Sequence, residues 1–326
     1  MFELKPGCLE LKDIIYLLEH DVHLTLQSQA IPKIEEAQQK VQAIIRENET
    51  VYGINTGFGR LAETKISQKD LKTLQQRLIL SHAVGVGAPL PQYIVKLTML
   101  LKINSLACGC SGVSLELIQT LIACFNAKIY PIIPSQGSVG ASGDLAPLAH
   151  MSLALMGLGQ VYYQGNIMSA ADALKRAKIP IYTLQEKEGL SLINGTQVST
   201  AIALMALIYT QRNFVNATLI GGLSFDAMTG NLSAYHMDIA RVKKGEGQIR
   251  FTEVLNDILS DSEIALSVNL KRKVQDPYSL RCQPQVMGAV LSYLYDIEKH
   301  LIREANAVSD NPIMMQEPLS LIHISE

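Results

Sequence analysis

Apolar positions recur at helical spacing along most of the chain. Between residues 34 and 49, Ile34, Ala37, Val41, Ile44 and Ile45 fall on one stripe, the three-and-four spacing of a helix with one buried face. Ser67 followed by Asp70 resembles a capping box with Asp in place of Glu, and Leu71, Leu74 and Leu78 continue on one face. Residues 92–107 and 113–126 predict two more helices with little polar surface, and 197–220 a further one that is apolar nearly all round, as in a helix buried within a large core. The longest periodic run is 285–308, where Val286, Val290, Leu294, Ile297 and Leu301 share a stripe. Pro284 suits its first turn, and Asp310-Asn311-Pro312 ends it. Strand signals are short, at 128–133 and 160–164. The fold class expected is mainly α, a loop-rich N-terminal domain over residues 1–195 followed by the start of a bundle of long helices over 196–316.

Composition narrows the function. Of 326 residues, 48% are hydrophobic and 18% charged, which excludes disordered and fibrous classes. The net charge is −2 with no basic block, so no nucleic-acid partner is expected. The mean hydropathy of +0.17 raises the question of a membrane span. The apolar stretches beginning at Leu145 and Gly189 are interrupted by Gly, Asn, Gln or Ser, so they are expected to be core helices and no membrane is implied. Glu3, Lys5, Glu10 and Asp13 near the start leave no secretory signal. The five cysteines (Cys8, Cys108, Cys110, Cys124, Cys282) are sparse and odd in number, which points to reduced thiols packed as small hydrophobes in the cytoplasm. Cys108-Gly109-Cys110 is too closely spaced for a zinc pair, and His20 and His23 have no second ligand pair, so no metal is expected.

The chemistry is expected in glycine-dense loops. These are residues 52–59 (Tyr-Gly-Ile-Asn-Thr-Gly-Phe-Gly), Gly85-Val86-Gly87, and residues 137–144 (Gly-Ser-Val-Gly-Ala-Ser-Gly-Asp). Tight turns account for glycine in general. Neither dinucleotide nor P-loop phosphate motif is present, so no nucleotide is expected, and neither Ser138 nor Ser142 sits in a nucleophile elbow. Ala141-Ser142-Gly143 permits a different reaction. The Gly143 nitrogen can attack the Ala141 carbonyl carbon and close a five-membered ring; a Cβ beside that nitrogen would crowd the closure. Loss of the Ser142 hydroxyl as water then leaves an exocyclic methylene, an electrophile made of backbone. Closure requires a strained, preorganised turn. A helix beginning at Asp144, with Pro147 in its first turn, would favour negative charge on the ring.

The segment from Gly140 to Ala149 (Gly-Ala-Ser-Gly-Asp-Leu-Ala-Pro-Leu-Ala) resembles the signature of the aromatic amino acid ammonia-lyases, whose Ala-Ser-Gly forms a methylidene-imidazolone (MIO) cofactor. The motifs at 52–59, at 191–196 (Ser-Leu-Ile-Asn-Gly-Thr) and at 275–285 (Gln-Asp-Pro-Tyr-Ser-Leu-Arg-Cys-Gln-Pro-Gln) follow in that family's order. Ser81-His82 and Arg281-Cys282-Gln283-Pro284-Gln285 resemble its histidine-specific branch. The resemblance implies an MIO made from Ala141, Ser142 and Gly143, and elimination of ammonia from L-histidine to trans-urocanate in histidine catabolism. Whether the electrophile captures the substrate amine or attacks its ring stays open. A tyrosine- or phenylalanine-specific lyase or aminomutase is the alternative within this chemistry. An inactive fragment or packing-only subunit is the alternative outside it.

Roles carry over by motif. Tyr52 is implied as the base for the β-proton; tyrosine has an ordinary pKa of about 10, so cationic or dipolar neighbours must favour its ionised form. Ser142 supplies the methylene, and Tyr278 is implied to donate to cofactor or substrate. Arg281 suits the substrate carboxylate as a bidentate fork, with Asn194 and Gln275 on the same wall and His82 against the imidazole. The family is implied to be a homotetramer with sites shared between subunits. Its chains continue well past residue 312 and supply a glutamate from there. The segment 317–326 does not resemble the family and is expected to be an anomalous tail on a truncated chain.

Overall fold

In a computed structural model of the chain, the described residues are 1–47, 50–57, 66–67, 70–267 and 274–314. They divide into two compact units, Met1–Ala203 with the chain from Ile302 onward, and Leu204–Leu301. In chain order the elements of the first unit are β1 (Phe2–Leu4), α1 (Leu11–Glu19), β2 (Leu24–Leu26), α2 (Ile31–Glu47), α3 (Leu71–His82), β3 (Val86–Pro89), α4 (Gln92–Ala107), α5 (Leu115–Asn126), β4 (Tyr130–Pro131), β5 (Pro134–Gln136), α6 (Leu145–Leu153), β6 (Gln160–Tyr163), β7 (Asn166–Ser169), α7 (Ala170–Ala177) and α8 (Glu188–Ile193). Helix α9 (Gln197–Ala227) carries the chain into the second unit, which holds α10 (Met237–Lys243), α11 (Glu246–Leu259), α12 (Glu263–Leu266) and α13 (Tyr278–Arg281). Helix α14 (Gln283–Ala305) brings it back.

The fold is mainly α, as the periodicity indicates. Helix α4 is buried on nearly every side, with Leu97, Met99, Leu100, Leu101 and Ile103 all inside, each contributing about 1.5–3 kcal/mol of apolar burial. Helix α5 starts where Ser114 Oγ accepts from Leu117 N at 3.1 Å, an N-cap that satisfies one orphan amide. A second core joins α2 to residues 51–54: Val41, Ile44, Val51, Ile54 and Leu71 pack together. The second unit has its own core of Phe225, Tyr235, Phe251, Leu255, Leu259 and Leu280.

Several expectations need adjustment. Ser67 does not cap α3: its hydroxyl donates to Asp70 Oδ2 at 2.6 Å, and Asp70, the residue before the helix, makes no side-chain cap. The strand expected over 128–133 shortens to Tyr130–Pro131, because Lys128 takes a positive φ of 57°. Gly85-Val86-Gly87, expected as a loop, runs into β3, which pairs antiparallel with β5. Helix α14 ends at Ala305, ahead of Asp310-Asn311-Pro312. Its expected stripe is largely in solvent: Leu294 is buried, but Val286, Val290 and Ile297 are exposed, and so are Val215, Leu219, Ile220 and Leu223 of α9. Of the cysteines only Cys124 is buried and Cys8 is exposed.

The first compact unit takes in the start of α9, to Ala203. Gly195 pairs with Gly143 and Ser199 bonds Asp144, so the start of α9 belongs with the residues before it. Residues 302–314 return because Asn306 bonds both N and O of Leu9, and Asp310 pairs with Lys187. Phe58, Gly59 and the segment 317–326 lie outside the described residues. Among the described residues no helix is long and apolar enough to cross a membrane, and no group of three or more metal-ligating side chains occurs.

Candidate active site

Three elements of the first unit pack on one another: α3, α6 and α8. Each carries a residue singled out by sequence. His82 is the last residue of α3, Ala141-Ser142-Gly143 precedes α6, and Asn194 follows α8. The Ala-Ser-Gly turn and Asn194 meet in one cavity of about 510 Å³, lined also by Gly140, Gly195, Thr196, Ser309 and Asn311.

The turn is strained where the ring chemistry requires it. Ser142 takes φ 59° and Gly143 φ 97°, positions that L side chains rarely adopt and that need support from surrounding structure. Gly143 N donates to Gly140 O at 3.3 Å, Gly143 and Gly195 form a parallel bridge, and Asp144 N donates to Gly195 O at 2.8 Å. A Cβ on Gly143 would lie 2.4 Å from Gly195 O. Glycine is therefore required here for backbone packing. Ala141 and Ser142 are exposed to the cavity. These residues fit an MIO: tripeptide, strain and open space coincide.

Asp144 is buried, and sequence reasoning gave it no role beyond a helix start. Its carboxylate does not cap α6. It accepts from Ser199 N at 2.8 Å, Ser199 Oγ at 2.5 Å and Ser138 Oγ at 2.9 Å, so it serves the first turn of α9, where a helix presents orphan amides and positive dipole. The same residue thus ties the turn to α9 and, through its own N–H, to Gly195.

Asn194 Nδ2 donates to Asn311 O at 3.0 Å. Tyr52 sits in the turn at residues 51–54, whose Gly53 packs against Leu190, Pro312 and Asn311. Its turn therefore abuts the strand of chain that accepts from Asn194, although Tyr52 and His82 are not among the residues lining the cavity. His82 Nδ1 donates to Leu78 O at 2.9 Å. A carbonyl only accepts, so in the neutral ring Nδ1 holds the proton and Nε2 is the acceptor. Ser81 Oγ also donates to Leu78 O, at 3.0 Å. Beyond His82, Gly85 N donates to His150 Nε2 at 3.0 Å, and burial pushes His150 below the usual histidine range.

Two buried lysines lie under this site. Lys102 Nζ donates to Ser191 O at 3.1 Å and Asn194 O at 2.5 Å. Lys187 Nζ donates to Ser111 O at 2.8 Å, Ser191 Oγ at 2.9 Å and Asp310 Oδ2 at 2.9 Å. Both are 1% exposed or less. Burial pushes Lys102 down to about 7, opposed by Asp310 and Asp144. Asp310 is held below the usual carboxylate range by Lys187, with help from Lys102, against its own burial. Sequence offered one signal for Lys102: a cation amid Leu100, Leu101 and Ile103 in a helix with little polar surface, which demands a buried partner.

Gln275, Tyr278 and Arg281 belong to the second unit. Arg281 Nε donates to Asp276 O at 3.0 Å, and its guanidinium lies over the Tyr278 ring at 3.9 Å. With the Gln275 amide oxygen turned toward it, Arg281 donates both terminal nitrogens at 3.2 and 3.3 Å. Gln275 and Arg281 line a cavity of about 570 Å³. The Arg281 guanidinium is thus held just before α14, with Gln275 engaging it in this state.

The comparisons agree with this geometry. The aromatic amino acid lyase family model matches residues 9–324. The histidine ammonia-lyase of Enterobacter sp. (strain 638) is 51% identical over 315 residues, covering 96% of this chain and 62% of that protein. The crystal structure of histidine ammonia-lyase from Trypanosoma cruzi superposes with a TM-score of 0.89 at 32% identity, covering 98% of this chain and 60% of the other. Pantoea agglomerans phenylalanine aminomutase superposes equally well, TM-score 0.89 at 29% identity, over 96% of this chain and 64% of the other. The chain spans about 62% of the length of the curated relatives it matches. With the Ala-Ser-Gly turn, the neighbouring Asn194 and the helical fold all in place, the chain belongs to the aromatic amino acid lyase family.

Proposed function

We propose that the protein is a carbon–nitrogen lyase that eliminates ammonia from L-histidine to give trans-urocanate, and that it does so in the cytoplasm as part of histidine catabolism. The observation that carries this reading is the strained Ser142–Gly143 turn pressed backbone to backbone against Gly195, beside Asn194. About 50% identity to curated histidine ammonia-lyases supports the choice of substrate. The Ser81-His82 pair supports it too, since the Nδ1 proton is engaged by Leu78 and Nε2 is left to accept a proton from a substrate imidazole.

Ala141, Ser142 and Gly143 would hold the MIO, which supplies an electrophile that activates an otherwise poor amine leaving group. The remaining work falls to the chain's own side chains. Arg281, a rigid planar donor, binds the substrate carboxylate, with Gln275 yielding its place and Tyr278 stacked behind. Asn194 orients substrate through its amide, and Tyr52 takes the β-proton. The exposed apolar positions of α9 and α14 support assembly of the complete enzyme as a homotetramer, since faces of this kind are covered in a stable protein.

Two measurements test the reading together. Ring formation removes two waters, so intact mass should fall about 36 Da below the sequence mass. A panel of histidine, tyrosine and phenylalanine should then release ammonia from histidine alone. Release from tyrosine or phenylalanine would favour a tyrosine- or phenylalanine-specific lyase, conversion of either to its β-amino isomer without ammonia would favour an aminomutase, and plain mass in a fully active preparation would refute the cofactor.

A further inference from the structure

Lys102 is the centre of a buried relay that the lyase reading leaves unused. It lies in the middle of α4 with 1% of its surface exposed. Its two acceptors are Ser191 O, inside the last turn of α8, and Asn194 O, on the residue that ends that helix. Both are orphan carbonyls at the negative end of a helix, where a cation is favoured. The ammonium therefore fixes the point at which α8 gives way to the Asn194-Gly195 strap. The next peptide, at Gly195, is the one that Gly143 bridges and that Asp144 N reaches at 2.8 Å. From Lys102 to the Ala-Ser-Gly turn there is one peptide of extended chain, gripped from below by the ammonium and from above by the turn.

We infer that Lys102 is a positioning residue for the Ala141-Ser142-Gly143 turn, holding the Asn194-Gly195 strap in the place against which that turn is bent; its consequence for ring closure rests on the lyase reading. The other buried amine is the natural contrast. Lys187 engages Ser111 O, Ser191 Oγ and Asp310, and makes no bond to Asn194 or Gly195. It braces the same helix without gripping the strap. A lysine at position 102 reaches two carbonyls with one amine, which an apolar side chain of similar length cannot do. Burial of a charge is costly unless its bonds are made, so its bonds to the strap are hard to break one at a time. A strap held this way loses little order when the turn is forced into its positive-φ conformation.

The test compares Lys102→Met with Lys187→Met in the full chain, by two readouts. The first is hydrogen exchange at the Asp144 amide, which bonds Gly195 O, relative to the Leu117 amide, which bonds Ser114 Oγ far along the sequence. The second is the rate at which the newly made chain loses about 36 Da. Lys102→Met should speed Asp144 exchange and slow ring closure at least ~10-fold each, the scale of one charge-assisted hydrogen bond, with Leu117 unchanged. Lys187→Met should alter both far less at a comparable loss of melting temperature. Equal effects of the two variants, or Asp144 exchange in Lys102→Met matching the parent, would overturn the inference. If Lys102→Met does not fold, Lys102→Gln, which keeps a donor and drops the charge, is read in the same way. A parent chain that never loses the mass would refute the lyase reading, while the exchange data would still decide whether Lys102 holds the strap.

Discussion

Gly143 and Gly195 meet backbone to backbone, so closely that a Cβ on Gly143 would stand 2.4 Å from Gly195 O and one on Gly195 would stand 2.7 Å from Ser309 Oγ. Both also hold φ above +90°. The contact joins the Ala141-Ser142-Gly143 turn to the strap that carries Asn194; it leaves no room for a side chain on Gly143, and the positive φ disfavours one on Gly195.

Alanine at either glycine is therefore expected to be severe. Gly143→Ala should lower stability by about 1–3 kcal/mol from the positive φ alone, with the collision adding to it, and should stop the mass loss. Denaturant titration and intact mass check both parts; a variant of parental stability that still cyclises would show that the turn is looser than the structure has it.

Ser142→Ala separates chemistry from folding. It removes the hydroxyl that would become the methylene and touches no buried contact, since Ser142 is exposed. Circular dichroism should match the parent while ammonia release disappears. Tyr52→Phe should keep both fold and ring and lower kcat by about 10²–10⁴-fold, the usual contribution of a positioned base; an unchanged kcat and pH profile would remove Tyr52 from that role.

The Lys187–Asp310 pair should be costly to break and free of salt effects, being wholly buried. Asp310→Asn leaves a buried ammonium without its counter-charge and is expected to cost about 3–5 kcal/mol. The folded Asp310 lies below its ordinary 3.8. An acid with a depressed folded value contributes stability that is present above 3.8 and is lost as pH falls below it. Acid unfolding of the parent should accordingly steepen below pH 3.8, and the Asn variant should lack that component.

Lys102 should give a slope of the same sign in a higher pH window. Its folded value is about 7 against 10.5 in the ordinary state. Between these two values the unfolded chain binds the proton and the folded chain does not, so unfolding free energy rises with pH across that window. Urea midpoints at pH 7 and pH 10 should show a larger gain for the parent than for Lys102→Met; equal gains would mean that Lys102 keeps its proton when folded.

His150 makes a pH-sensitive tie to the loop after His82. Gly85 N needs an unprotonated Nε2, and burial already lowers the pKa of this ring from 6.5. Below pH 6.5 the unfolded chain takes up a proton that the folded ring resists, so stability falls with acidification. Exchange at the Gly85 amide, corrected for its intrinsic pH dependence, should rise between pH 7 and pH 5 in the parent and stay level in His150→Phe.

The amino-acid sequence by itself determined the helical class and most helix positions, and it singled out Ala141-Ser142-Gly143 as the candidate for ring chemistry. These are local properties: periodicity selects helices, and a bare glycine nitrogen two residues after a small one is what ring closure would need. The pairing of Gly143 with Gly195, the use of Asp144 by α9 rather than α6, and the burial of Lys102 and Lys187 beneath Asn194 were decided only in the tertiary structure. Each joins residues distant along the chain, and no short-range pattern encodes which orphan amide or carbonyl a buried charge will find. The same reason explains Ser67, which has the spacing of a cap but spends its hydroxyl on Asp70, and the stripe of α14, whose apolar spacing fixes one face of a helix but not what that face is laid against.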